Sequence, residues 1–223
     1  MGITEEMEAR LRRFARILAA SNETARVTGP SDESVIYEEH VRDALAALPL
    51  LEKFPAGSSF ADVGTGGGLP GIVWGTCRPD MRGVLIDSVG KKINIVRGII
   101  RALELENISA INERSEETAL SRRETFDVAA ARAVASAPVL AEYLSPLVRA
   151  GGLLIAFKGP RAASELECVH PRDWRKLGLG APSLVPYEIA GRECNMVTWT
   201  KISECPKRFP RKPGDAKKNP WNG

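Results

Sequence analysis

The chain has 223 residues, 43% hydrophobic and 26% charged, with a net charge of +3. These are ordinary values for a globular protein and suit one domain with a small extension. No apolar run approaches the roughly 20 residues that span a bilayer, and the N-terminal "MGITEEMEARLRRFARIL" has neither an apolar signal core nor a small-residue cleavage site, which points to a cytoplasmic protein with no membrane partner.

Met7, Leu11, Phe14 and Leu18 form one stripe of an amphipathic helix, with Arg10, Arg12, Arg13 and Arg16 between them as its solvated face. Gly29, Pro30 and Ser31 mark a loop over 22–34, and a second helix follows over 34–48 with Val41, Leu45 and Leu48 as its stripe. From residue 58 short apolar runs alternate with helix-like stretches. Strands are predicted at 59–63, 83–87, 108–112, 126–131 and 153–158, and helices at 70–77, 90–104, 138–148 and 161–168, with a short one near 116–120. That order implies an α/β fold with a mostly parallel sheet and right-handed crossovers. "SLVPYEIA" and "CNMVTWTKI", joined at Gly191-Arg192, predict a terminal antiparallel hairpin.

Cys77, Cys168, Cys194 and Cys205 are scattered without a C-x-x-C pair, and His40 lies far from His170, so neither a disulfide framework nor a metal site is expected. Charge is segregated. Residues 206–223 hold Lys207, Arg208, Arg211, Lys212, Lys217 and Lys218 against the single acid Asp215, so this tail carries +5 and the rest of the chain −2. With four prolines among the cations, the tail is expected to lack regular structure and to contact RNA phosphates, Phe209 and Trp221 stacking on bases. The alternative is a plain solubility extension.

"SFADVGTGGGLPG" places a glycine loop after the first strand. A phosphate-binding P-loop is ruled out, because no lysine follows until Lys91. Gly66, Gly68 and Gly71 satisfy G-x-G-x-x-G, and Asp87 ends the next strand where a ribose-binding acid belongs. Both features suit NAD and the adenosine of S-adenosylmethionine (SAM) alike. Asp62 favours SAM: a carboxylate there repels a pyrophosphate but suits a cationic methyl donor. Its other reading is a purely local one, hydrogen bonding to loop amides.

The ordered set "DVGTGGGLPG", "LIDSVGKK", "ERSEE", "FDVAAARAVAS" and "AFKG" resembles the ribosomal RNA small-subunit methyltransferase G family, also called glucose-inhibited division protein B. The resemblance runs from about residue 22 into the basic tail. It implies a Rossmann-like class I SAM-dependent methyltransferase acting on N7 of a guanine in 16S ribosomal RNA within the small subunit, with S-adenosylhomocysteine as product. It divides the chain into a helical extension (1–57) packing on the catalytic domain, the methyltransferase domain (58–205) and a flexible basic tail (206–223). By motif, Gly64 and Leu69 fall in the family's cofactor loop, Ser115 and Glu116 match its pair after the third strand, and Arg132 its arginine after the fourth. Three departures stand: Arg26-Val27-Thr28 replaces the usual Asn-Leu-Thr, Ser21 a common Trp, and "ARA" around Arg132 a Ser-Arg-Ala.

Guanine N7 carries an in-plane lone pair and no proton, so the chemistry needs alignment rather than a general base, and no catalytic acid or base is expected. The target base must be unpaired or splayed from its stack. Candidate cofactor contacts are therefore Asp62, Gly64, Gly66, Gly68, Leu69, Asp87, Ser115, Glu116 and Arg132. Arg132, read as unpaired at a pocket mouth, would hold the SAM carboxylate or an RNA phosphate; its alternative is a surface ion pair. Lys91 and Lys92 at a helix start suit phosphate contact. Lys158 suits RNA or plain solvent, Lys207, Arg208, Arg211 and Lys212 are the tail's RNA candidates, and His40 is read as structural. The rival functions are an NAD(P)-dependent oxidoreductase and a non-catalytic RNA-binding assembly factor.

Overall fold

The computed structural model describes residues 2–22, 29, 31–132 and 134–222. The loop expected over 22–34 falls largely outside them. The sheet has seven strands: β1 (Ser59–Val63), β2 (Arg82–Asp87), β3 (Ile108–Asn112), β4 (Phe126–Arg132), β5 (Val148–Lys158), β6 (Ser183–Ile189) and β7 (Arg192–Thr200). Their order is β3-β2-β1-β4-β5-β7-β6. The first five run parallel, β7 is antiparallel to β5, and β6 returns antiparallel to β7. All five predicted parallel strands and the terminal hairpin are present. β5 begins five residues before its predicted start, at Val148, because Arg149, Ala150 and Gly151 continue the strand although exposed.

Alternation along the strands sorts side chains between two cores, as the period of two requires. Phe60, Val128, Ala130 and Ile155 join one core; Ala61, Val63, Ala129, Ala131, Leu154 and Ala156 join the other. On the first face lie α1 (Glu5–Asn22), α2 (Glu33–Val35), a π-helical turn (Ile36–Val41), α3 (Arg42–Leu45), α4 (Leu48–Leu51), α5 (Gly71–Cys77) and α6 (Gly90–Ala102). The predicted stripe of α1 is buried there: Leu11, Phe14 and Leu18 share a cluster with Trp74, Ile93 and Val96. The indole N–H of Trp74 donates to the carbonyl of Ala44 at 3.0 Å, fastening α3 to α5.

The second predicted helix, 34–48, is not uniform. The amide of Arg42 reaches back five residues to the carbonyl of Tyr37, one extra residue in the turn. Such π-turns recur at functional sites, and this one carries His40 just ahead of Asp43.

On the other face lie α7 (Ser115–Ser121), α8 (Ala137–Leu144), a 3₁₀ turn (Ser145–Leu147), α9 (Ala162–Glu167), a second 3₁₀ turn (Asp173–Leu177) and α10 (Asp215–Lys218). Beyond the four residues of α10 the tail has no helix or strand among the described residues, yet it packs against this face. Phe209 and Ala216 are buried, and the indole N–H of Trp221 donates to the Pro138 carbonyl at 2.8 Å while its ring meets Trp174 edge-on. The Arg123 guanidinium holds the carbonyls of Cys205, Pro206 and Phe209. Arg211 pairs with Glu142, whose side chain is 1% exposed. A few apolar anchors and one buried acid therefore dock a segment whose average composition is polar. Phe209 and Trp221, placed in this packing, are not free to stack on bases.

Candidate cofactor and acceptor site

The carboxyl ends of the parallel strands open into a cavity of about 950 Å³, near the upper end of the usual ligand-pocket range of roughly 300–1,000 Å³. This is the edge at which open α/β sheets bind ligands. One end of the cavity is walled by the glycine loop, Asp87, Ser115 and Glu116; the other by His40, Asp43, Arg132 and Tyr187.

The loop after β1 holds itself. Gly64 and Thr65 donate to the Ile86 carbonyl at 2.8 and 3.0 Å, Gly66 to Asp87 Oδ2 at 3.0 Å, and Gly68 and Leu69 to the Thr65 carbonyl at 2.8 and 3.1 Å. Gly71 and Ile72, opening α5, donate to Asp62 Oδ2 and the Gly68 carbonyl. A pyrophosphate site needs such amides free to point at the anion. Here they are engaged inside the chain, and the G-x-G-x-x-G reading as a dinucleotide loop loses its donors. The glycine at 68 is required by backbone: its φ is +98°, and a Cβ there would lie 2.4 Å from Ile72 Cδ1.

Asp62 takes the local role of the two the sequence allowed. It is fully buried beneath the loop and absent from the cavity wall. Its Oδ2 accepts from Thr65 Oγ1 at 2.6 Å and from the Gly71 amide at 2.8 Å, while Oδ1 is buried without a partner. Burial pushes its pKa up to about 6, only partly opposed by those two hydrogen bonds. The carboxylate thus staples the loop to α5, the local one of its two readings.

Asp87 lines the cavity, and each oxygen already accepts one backbone amide: Gly66 on Oδ2, Val89 on Oδ1 at 2.9 Å. A carboxylate oxygen has a second lone pair, so ribose hydroxyls can still be met. Ser115 Oγ donates to Glu116 Oε2 at 3.0 Å; both residues are buried and both line the cavity. Glu116 Oε1 accepts the amide of Gly214 at 3.4 Å, and Lys217 stands on the same wall. The tail thus reaches the cavity rim beside Glu116, which its charge pattern did not foretell. Gly64, Gly66 and Leu69 also line the cavity; Gly68 shapes the turn from behind.

At the opposite end, Arg132 is not the unpaired arginine expected from its apolar neighbours. Its Nη1 lies 3.2 Å from Asp43 Oδ2 and 3.3 Å from His40 Nδ1. Tyr187 donates to Asp43 Oδ1 at 2.5 Å, and burial together with that carboxylate raises its pKa, keeping the hydroxyl protonated. Arg192 pairs with Glu39 at 2.5 Å alongside. Sequence reasoning missed Asp43 and Tyr187. The i, i+3 spacing of His40 and Asp43 on one helix was a signal for the first; Tyr187 had none, since only the hairpin's return brings it close.

Among the cations, Lys92 lines the cavity and Lys91 is exposed beside it; neither makes an ion pair among the described residues. Lys158 is instead 11% exposed and bound to Glu165 at 2.7 Å and to the Ala135 carbonyl at 2.8 Å. Its charge is answered within the protein, which removes it as a free phosphate contact. Arg211 is removed likewise by Glu142. Lys207, Arg208 and Lys212 are exposed. Among the described residues no group of three or more His, Cys, Asp and Glu is placed to hold a metal, and no helix is long and apolar enough to cross a membrane.

A glycine loop most of whose amides are internally bonded, an acid ending β2 and a sheet closed by an antiparallel hairpin define a Rossmann-like class I methyltransferase fold. Solved structures agree at the level of the fold. Precorrin-6y C5,15-methyltransferase from Geobacter metallireducens aligns with TM-score 0.52 at 13% identity over 71% of this chain and 87% of its own. A variant of 16S rRNA (adenine(1408)-N(1))-methyltransferase from Catenulisporales acidiphilia gives 0.54 at 13% over 74% and 91%. These two act on a small molecule and on RNA by their names, so the fold alone does not choose a substrate. The sequence does narrow it: residues 7–185 match the model for rRNA small subunit methyltransferase G, and the chain belongs to that family. Proteins named ribosomal RNA small subunit methyltransferase G share 37% identity in Rubrobacter xylanophilus, covering 93% of this chain and 81% of theirs, and 33% in Carboxydothermus hydrogenoformans, covering 99% and 94%.

Proposed function

We propose that this protein transfers a methyl group from SAM to N7 of a guanine in 16S ribosomal RNA of the small subunit, in the cytoplasm. The observation that carries the reading is the two-ended cavity, glycine loop and acids at one end and a polar cluster at the other, in a chain of this family. About 950 Å³ is room for a nucleoside-sized cofactor and a base together.

The residues fit SAM. Asp87 would meet the ribose hydroxyls, Ser115 and Glu116 the adenine side, and Gly64, Gly66 and Leu69 the backbone face, with Gly68 and Asp62 holding the loop in shape. When bound, SAM supplies a methyl group on a positively charged sulfur. The chain supplies position. Because N7 has a free lone pair, no side chain must remove a proton, and the partly buried cluster of Arg132, Asp43 and Tyr187 serves to orient the base and keep water out. The exposed Lys91, Lys207, Arg208 and Lys212, with the half-buried Lys92 on the cavity wall, are the cations for the RNA backbone. The occupied amides of the loop speak against the oxidoreductase alternative.

The test uses small subunits from a strain lacking this activity, incubated with the protein and tritiated SAM. Label should enter 16S RNA, and borohydride–aniline cleavage should map it to one N7-methylguanine. RNA binding without label would instead favour the non-catalytic assembly factor.

A further inference from the structure

The C-terminal segment reaches the cavity at its cofactor end. Lys217 belongs to the cavity wall, as do Ser115, Glu116 and Tyr143. Its side chain is exposed and makes no ion pair among the described residues. Next to it Ala216 joins the core of this face, and the Gly214 amide lies 3.4 Å from Glu116 Oε1. A helix as short as α10 does not hold such a place by itself. It is fixed from both flanks. Arg211 donates to both oxygens of Glu142, from Nε at 2.8 Å and from Nη2 at 2.5 Å, and Trp221 donates to Pro138 and meets Trp174 edge-on. Glu142 precedes Tyr143 on α8, so the anchor and the cavity wall share one helical turn. The charges say the same. Burial first, then Glu116 and Glu142, raise the pKa of Tyr143, while Arg211 opposes them. Anchor, wall and acid are one electrostatic neighbourhood.

Glu142 is 1% exposed, and Arg211 is its one ion-pair partner among the described residues. Lifting the segment would strand that buried carboxylate, which favours docking. It would also remove Lys217 from the wall and the Gly214 amide from Glu116. A ligand that fits the complete wall better than the open one stabilises the docked state, and linkage makes the effect mutual. We propose that residues 211–221 are an integral part of the cofactor site and close it beside Glu116, so that SAM binding and tail docking depend on each other. This rests on the SAM reading above and adds to it a segment whose charge pattern pointed to RNA alone.

The first measurement is limited trypsin digestion of the wild-type protein, with and without S-adenosylhomocysteine at about a hundred times its Kd. The cut followed is the one after Arg211, whose side chain must leave Glu142 to enter the protease, with the rest of the chain intact. It should slow about tenfold with ligand. The second is calorimetric titration of S-adenosylhomocysteine into wild type, Arg211→Ala, Arg211→Lys and Trp221→Ala. By reciprocity Arg211→Ala and Trp221→Ala should each weaken binding about tenfold, and Arg211→Lys, which keeps a cation for Glu142, should recover part of the loss. A segment that merely packs on the fold would lower the melting temperature of these variants and leave Kd, read from the folded protein, where it was. A cut after Arg211 indifferent to the ligand, or a Kd within about threefold of wild type in a variant whose tail is cut rapidly, overturns the proposal. If neither release variant folds, the wild-type digestion decides alone. Failure of the wild-type protein to bind S-adenosylhomocysteine removes the SAM reading itself, and is seen before any variant is measured.

Discussion

Replacing Asp62 by Asn separates the loop-stapling role from direct contact with a cofactor. The folded pKa of about 6 stands above the usual 3.8. A carboxyl shifted upward on folding adds stability that is fully present below about pH 4 and is lost as pH rises through about 6. Raising the pKa from 3.8 to about 6 corresponds to about 3 kcal/mol in total, of which about 2 kcal/mol falls between about pH 4.5 and about pH 8. Asn cannot titrate. Its oxygen can still accept from Thr65 and Gly71, while its NH₂ replaces the buried, unpartnered Oδ1 at about 1–3 kcal/mol. The variant should therefore be the less stable protein at about pH 4.5, and the gap should narrow by about 2 kcal/mol by about pH 8. Urea titrations of both proteins across that range measure the gap, and the other carboxylates cancel in the difference. A gap independent of pH would refute the buried-charge reasoning. Calorimetric titration of the same variant with S-adenosylhomocysteine at about pH 8 should give an affinity within about tenfold of wild type, because Asp62 is not on the cavity wall; a loss of about a thousandfold or more would return it to the cofactor's contacts.

Gly68→Ala forces a side chain onto a φ of +98° and against Ile72, at about 1–3 kcal/mol; thermal melting should show the loss, and S-adenosylhomocysteine affinity should fall with it. Arg211→Ala strands the buried Glu142 and should free the tail, so trypsin cleavage after Lys207 or Arg208 should accelerate by about tenfold or more while the rest of the chain resists. Lys91→Glu combined with Lys92→Glu should weaken binding to small-subunit RNA, with the log–log salt slope shrinking by about 2; an unchanged slope would place the RNA elsewhere.

Much of the frame is legible in the sequence because it rests on local pattern. Phe60 and Ala61 alternate between cores as a strand requires, and the hairpin follows from two extended runs around Gly191-Arg192. What escaped the sequence depends on distant partners. The π-turn before Asp43 follows from no residue type, only from the pairing of Arg42 with Tyr37. The partners of Arg132 and Lys158 lie on other elements, so an arginine read as free proves paired. In the tail, average composition concealed Phe209, Ala216 and Trp221, the three residues that anchor it. For Asp62 the sequence permitted two roles, and only burial distinguishes them.

The hold of Arg123 on three successive stations of the C-terminal segment gives its charges an arrangement as well as a sum. Lys207, Arg208 and Lys212 project from a backbone fixed at both flanks, so a tail of identical composition in shuffled order would offer phosphates a different constellation. In the proposed contact with RNA, engagement by this stretch would then depend on the fold of the RNA as well as on its charge.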